Sequence, residues 1–253
     1  MTLSSAVRAA LDAHARLLVA WNQHLNLTAL RRPDQIARGH VLDSLAGHAL
    51  CRRLLEAQRV PVNEARLLDL GSGGGYPGLP LSLALGVGRC ALVDSVAKKA
   101  RFLEVAAAAA ASVLVGAGVP PPAFDVLGER AEDLAEEADQ REGWHLVVAR
   151  AVGSVAEVAE LALPLLSLGG HVVAWKRQSA DGGRPDAALA GELRGARRIV
   201  QAAGGAQPRV EQLPAADALG LPEHVLVTIR KVRPTPDRYP RPPAERRRTA
   251  LLR

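Results

Sequence analysis

Residues 67–85 read LLDLGSGGGYPGLPLSLAL. A short apolar run that carries one acid, Asp69, opens into five glycines and two prolines before apolar spacing resumes. Glycine inside a strand or helix costs roughly 0.5–1 kcal/mol relative to alanine. A cluster of this kind therefore belongs to a tight turn, or to a place where a ligand must approach the main chain closely. Pro77 and Pro80 suit the opening of the next helix, where a missing N–H costs nothing. The stretch reads as strand, glycine turn, helix.

Outward from it, short apolar runs alternate with helical spacing. The runs are 66–70, 90–94, 124–128, 145–149, 170–175, 209–214 and 224–229. Helices are expected over 79–85, 98–115, 131–139, 155–168 and 187–203. This alternation predicts a mainly parallel sheet with helices on both faces. Only nine residues, with Gly220 and Pro222 among them, separate the last two runs. That spacing suits a hairpin, so the last strand is expected to be antiparallel. Residues 4–24 and 36–58 show helical periodicity, which gives a helical subdomain over 1–60, a sheet domain over 61–233 and a basic, flexible tail over 234–253.

Charge is concentrated in that tail. From 230 to 253 there are nine Lys or Arg residues against Asp237 and Glu245, a balance of +7; the whole chain carries +6, so the other 229 residues sum to −1. Such a block suits a nucleic-acid arm or a solvated tail. Cys51 and Cys90 form no C-x-x-C pair, which argues against a disulfide framework or a zinc site. No metal is expected. No run is apolar enough for a bilayer or a signal peptide, so a cytoplasmic protein without membrane association is expected.

The glycine run lacks the Gly-Lys-Ser/Thr of a phosphate-binding loop. A G-x-G-x-x-G dinucleotide register can be forced onto Gly73, Gly75 and Gly78, but Pro77 and Pro80 then crowd the helix start. The better register is D-L-G-S-G-G-G. It sets Asp69 two residues before Gly71, and Gly73 and Gly75 beyond. A carboxylate there disfavours a pyrophosphate and suits an ammonium or sulfonium. Asp94 follows the second strand, placed to accept hydrogen bonds from both ribose hydroxyls of an adenosine. Together these favour S-adenosylmethionine (SAM) over NAD. An ordinary tight turn with strand-end acids is the alternative.

Several blocks carry a family likeness: WNQHLNLTAL (21–30), HVLDS (40–44), DLGSGGGYPGLPLSL (69–83), LVDSVAKKARFL (92–103), GERAEDL (128–134), VARAVGSV (148–155) and DRYPRPP (237–243). In this order and over nearly the whole chain they resemble the glucose-inhibited division protein B family, bacterial 16S ribosomal RNA (guanine-N7)-methyltransferases. The resemblance implies a Rossmann-like class I SAM-dependent methyltransferase fold, α/β with a seven-stranded sheet and an N-terminal helical cap. It implies a cofactor site at Gly71, Tyr76, Asp94, Ser95, Val96, Ala131, Glu132 and Arg150. It also implies a guanosine of the 530 loop as target, with 16S rRNA, the 30S subunit or an assembly intermediate as partner of a monomeric enzyme. Tyr76 stands where the family carries an apolar residue, so backbone contact is expected there. Gly74 replaces a common proline, Val152 an aromatic and Arg177 a glycine.

Guanine N7 carries an in-plane lone pair and no proton, so methyl transfer to it needs no general base. The chain has no Asn/Asp-Pro-Pro-Tyr motif, and Cys90 lies at the wrong end of its strand for a nucleophile. Positioning is then expected to dominate. Lys98, Arg130, Arg150 and Lys176 fall at or just beyond strand ends and are the expected positioning and RNA-handling residues, with Lys99 and Arg101 as phosphate contacts or plain surface charges. His40 and Asp43 share one helix face and are expected to serve structure or RNA positioning. Trp21, Asn22, Asn26 and Thr28 are expected to cap and lock that region, with closing over the cofactor as the alternative. Trp144 and Trp175 read as core. The segment from Tyr239 to Pro243 is expected to form an extended RNA-gripping arm.

Overall fold

The computed structural model describes residues 2–179, 185–213, 220–221 and 223–250, with side chains as far as 246. Pro214 and Pro222, and the side chains of Arg247, Arg248 and Arg253, lie outside the described residues. Seven strands form one sheet: β1 (Arg66–Leu70), β2 (Arg89–Val93), β3 (Ala123–Leu127), β4 (Trp144–Arg150), β5 (Leu166–Arg177), β6 (Arg209–Gln212) and β7 (His224–Arg230). Their spatial order is β3-β2-β1-β4-β5-β7-β6. β1 to β5 run parallel, and β7 lies antiparallel to both β5 and β6. This is the Rossmann-like sheet with an antiparallel last strand that the sequence implied. The strand order reverses at β1, between β2 and β4, and ligands of such sheets bind beyond the carboxyl ends there.

Consecutive strand residues face opposite sides. Leu67 therefore enters one hydrophobic core and Leu68 the other. The first core lies under α1 (Ser5–Leu25), α4 (His48–Ala57), α5 (Gly78–Leu85) and α6 (Ala97–Gly116). The second lies under α8 (Val155–Ala162) and α9 (Ala187–Ala202). Leu11, Leu18, Leu50 and Leu55 of the N-terminal helices share a cluster with Leu67, Leu92 and Val173 of the sheet. Each fully buried leucine contributes about 1.5–3 kcal/mol, so the first 60 residues are anchored to the sheet by a common core. Ser4 caps α1 by accepting from the Val7 N–H, and Asn26 ends it in the left-handed conformation (φ 49°).

Three helices differ from the expectation. The periodicity over 36–58 resolves into α2 (Pro33–Ile36), a π-helical turn (Ala37–Leu42), α3 (Asp43–Ala46) and α4. The break after α3 falls at Gly47, where a Cβ would stand 2.5 Å from the Trp175 ring. The helix expected over 131–139 is only α7 (Ala131–Leu134), continued by turns. The one expected over 155–168 stops at Ala162, because Pro164 cannot continue it, and β5 starts at Leu166 instead of 170.

The segment expected as a flexible arm is laid against the body for much of its length. Thr235 and Tyr239 are buried. The Thr235 hydroxyl donates to the Ala203 carbonyl at 2.7 Å. Arg241 grips buried Glu160 through Nε at 2.7 Å and Nη2 at 2.8 Å. The chain ends in α10 (Pro243–Ala250), where Arg246 is bonded to Glu132. Trp144 and Trp175 are core residues, as expected. Among the described residues no helix is long and apolar enough to cross a membrane, and no group of three or more His, Cys, Asp or Glu is placed to hold a metal ion.

Candidate functional site

An open cleft of about 920 Å³ lies beyond the carboxyl ends of β1 and β4. One wall is the glycine turn. Gly71, Gly73 and Gly75 all adopt positive φ (71°, 55° and 86°), a region where a side chain is strained. The turn has two sides. A Cβ on Gly75 would meet the His14 ring at 2.9 Å and one on Gly74 would meet Leu18 at 2.9 Å, whereas one on Gly73 would meet nothing nearer than the Gly71 carbonyl at 3.9 Å. Gly73 thus offers bare main chain to open space. Ser72, which sequence reasoning passed over, stitches the turn to β2. Its N–H donates to the Val93 carbonyl, its hydroxyl donates to the Asp69 carbonyl, and it accepts from the Val93 N–H.

The two acids read from the sequence occupy different environments. Asp94 faces the turn: one oxygen accepts from the Gly73 N–H and the other from the Val96 N–H, both at 3.0 Å. The Lys99 ammonium stands 3.6 Å away. Asp69 lies wholly buried behind the turn, away from the cleft lining. Its Oδ2 accepts from the Gly78 N–H at 2.9 Å, and its Oδ1 has no hydrogen-bond partner. Burial pushes its pKa up to about 7, against the opposing pull of the Gly78 bond. A Cβ on Gly78 would come within 2.3 Å of Asp69, so the close packing of helix on strand requires this glycine.

The N-terminal helices build the facing wall. At the tip of β4, the Arg150 Nη1 donates to Asp43 at 2.7 Å and to the Gly39 carbonyl at 3.0 Å, while Nη2 donates to His40 Nδ1 at 2.9 Å. Asp43 is 1% exposed and holds His224 through its other oxygen at 2.6 Å. Burial pushes the Asp43 carboxyl up, but the bond to His224 and the charge of Arg150 together hold it below the usual carboxylate range. The Trp175 indole donates to the Asp43 carbonyl, which ties α3 to β5. Three parts of the chain thus meet at one buried carboxylate: the second N-terminal helical region, β4 and β7.

Tyr76 lies between two imidazoles, with ring centroids 4.6 Å from His14 and 4.7 Å from His40, both stacked; the Arg150 guanidinium is 5.5 Å from its centroid. The Tyr76 ring is 4% exposed, so its side chain is packing and any contact it offers the cleft is chiefly through its backbone. Burial lowers the pKa of His14 to about 4; burial and then the charge of Arg150 do the same to His40. Both rings are therefore neutral at physiological pH. His14 donates to the Gly74 carbonyl at 2.7 Å and so braces the turn from α1. Neither His14 nor His224 stood out in the sequence, because nothing in the spacing of either points at the residue it meets.

The remaining expected site residues divide. Gly71, Gly73, Tyr76, Arg150 and Lys176 line the cleft. Lys176 is held by Glu192 and the Gly153 carbonyl, each at 2.7 Å, and so fixes the loop after β4. Ser95, Val96 and Lys98 are exposed just beyond Asp94, and Arg130 is exposed at the N-cap of α7, outside the cleft lining. Ala131 is buried, and Glu132 is tied to Arg246.

The family model of the rRNA small subunit methyltransferase G family, GidB, matches residues 8–184. Relatives named ribosomal RNA small subunit methyltransferase G include one from Symbiobacterium thermophilum, 34% identical over 90% of this chain and 83% of its own length. One from Moorella thermoacetica is 34% identical over 96% and 90%. One from Geobacillus kaustophilus is 32% identical over 95% and 90%. The glycine turn, the Asp94 rim and the Arg150 wall all fall within the matched segment, and the chain belongs to the GidB family of rRNA small subunit methyltransferases.

Proposed function

We propose that this methyltransferase transfers the methyl group of SAM to N7 of a guanosine in 16S rRNA, in the 530 loop that the family resemblance implies. The observation that carries the reading is one cleft. It sets open main chain at Gly73 across from the Arg150 cluster, and the Asp94 carboxylate, just outside the cleft lining, accepts from the Gly73 N–H. The residues fit the cofactor. Nothing stands near the open side of Gly73, which leaves room for a ligand against the backbone. The Asp94 carboxylate, already oriented by two N–H groups, keeps lone pairs for the ribose hydroxyls. Ser95 and Val96 flank the ribose, and Ala131 and Glu132 take the adenine edge. Gly71, Gly75 and Tyr76 shape the turn around it.

Bound there, SAM supplies an electrophilic methyl group. The chain's own contribution is alignment. Two of the five N–H donors of Arg150 remain after its bonds to Asp43, Gly39 and His40, and these are free to hold an anionic group in the cleft. Lys176 fixes the floor formed by the 150–154 loop. No base is required, and neutral His40, with both ring nitrogens occupied, is not placed to act as one. Asp69, behind the turn, sets the turn's geometry through Gly78 and contributes only a distant charge. Exposed Lys98 and Arg130 at the rim meet RNA phosphates. The protein acts as a cytoplasmic monomer on the 30S subunit or an assembly intermediate.

Labelled SAM incubated with 30S subunits and with deproteinised 16S rRNA, followed by mapping of the modified base, tests this. The expected product is 7-methylguanosine at one site. Label on another atom, or transfer only to small molecules, overturns it.

A further inference from the structure

Thr28 lies in the wall of the cleft against His40, and Gly73 and Gly74 line the same cleft. The direction of every hydrogen bond leading to it is fixed. A guanidinium only donates, so His40 Nδ1 accepts from Arg150. The proton of the neutral ring then sits on Nε2, 2.7 Å from the Thr28 hydroxyl oxygen, and is donated to it. The Leu30 N–H donates to the same oxygen at 3.1 Å. A hydroxyl has two acceptor lone pairs and one proton. Both lone pairs are taken, and only the proton is left. The backbone of Thr28 is itself clamped by the Asn22 side chain, which accepts from its N–H at 2.9 Å and donates to its carbonyl at 3.0 Å. The low pKa of His40 agrees with a single ring proton.

We propose that the Thr28 hydroxyl, restricted to donating, reads the O6 oxygen of the target guanine and so selects guanine over adenine. The proposal rests on the guanine-N7 reading above. On the edge that carries N7, guanine presents O6, an acceptor, whereas adenine presents an amino group, a donor. An unconstrained hydroxyl serves either base by turning. Thr28 cannot accept, so adenine would set two donors against each other and leave both unpaired. The relay from Arg150 through His40 to Thr28 thus makes a specificity element of a residue that the sequence marked chiefly as a structural lock.

The test couples the protein change to the base change. Methyl transfer by the parent, Thr28→Val and Thr28→Ser is measured on RNA bearing guanine or 2-aminopurine at the target position; 2-aminopurine keeps N7 and lacks O6. The parent should lose about tenfold in kcat/KM on 2-aminopurine. Thr28→Ser should keep that preference. Thr28→Val should be slow on guanine and equally slow on 2-aminopurine, because either change removes the same bond, with SAM affinity close to the parent's. If the two penalties multiply, Thr28 acts only through structure and the proposal fails. Should the valine variant not fold, a parent or serine variant that treats both bases alike overturns the assignment by itself. If the parent makes no 7-methylguanosine on rRNA, the functional reading falls; if it does and the penalties multiply, only the role of Thr28 falls.

Discussion

The two walls of the cleft are built in opposite ways. The glycine wall is local: a turn of a few residues whose shape comes from positive-φ glycines and whose bordering acid, Asp94, is oriented by neighbouring main chain. The facing wall is assembled from distant chain. Asp43 meets Arg150 across 107 positions and His224 across 181. Loss of a side chain from the first wall should therefore cost ligand affinity and spare the fold, and loss from the second should cost the fold itself.

The largest effect is expected at Asp43. Asp43→Ala strands the Arg150 and His224 side chains without their shared acceptor. Breaking a buried pair of this kind costs about 3–5 kcal/mol, read as a lower urea midpoint with unchanged slope. A variant with parental stability would erase the distinction between the walls. A somewhat smaller effect is expected from Asp69→Asn, and it depends on pH. The Asp69 carboxyl ionises near 3.8 by itself and at about 7 in the fold. Its contribution to stability is complete below pH 4 and is lost as pH rises through about 7. The asparagine variant has no such loss, so its stability relative to the parent should rise by on the order of 3 kcal/mol between pH 4 and pH 8. An unchanging difference across that window would show that Asp69 titrates normally. His14 and His40 act in the reverse sense. Their folded values lie near 4, below the ordinary 6.5, so their stabilisation is present above 6.5 and disappears as pH falls through 4.

For the glycine wall, Asp94→Ala should weaken SAM binding about 10–100-fold by calorimetry, with the urea midpoint moved little and RNA affinity moved less than cofactor affinity. Equal SAM affinity in variant and parent would remove Asp94 from the site. The smallest effect is expected at Lys99, whose ammonium is about a third exposed and 3.6 Å from Asp94. Lys99→Ala should change SAM affinity by less than about fivefold, since such surface pairs contribute 0–1 kcal/mol. A larger loss would give Lys99, which lines the cleft, a direct part in holding the cofactor.

The legibility of each wall follows the same division. The glycine turn could be read because strand, turn and helix are contiguous, and because each glycine signals a backbone shape that other residues avoid. Asp94 could be read from strand length and spacing. The misjudged helices lie where a tertiary neighbour or a single proline decided: the break at Gly47 exists for the ring of Trp175, and Pro164 ended α8 inside an otherwise helical pattern. His40 and Asp43 stand out in the sequence as a pair on one helix face, but their meeting with Arg150 and His224 has no sequence signal. The two acids looked alike in the chain and differ in burial and partner. The basic segment looked like a free arm because composition records charge and not the Glu160 that binds Arg241.

By itself the sequence determined the alternation of strands and helices, the antiparallel end of the sheet, the place of the glycine turn and the family blocks, because all of these are encoded by near neighbours along the chain. Only the tertiary structure decided which acid is sealed behind the glycine turn, what orients Arg150 and which neighbours hold the Thr28 hydroxyl. Those properties depend on partners brought within about 3 Å by packing, and hydrogen-bond direction is settled by the whole connected set of donors and acceptors.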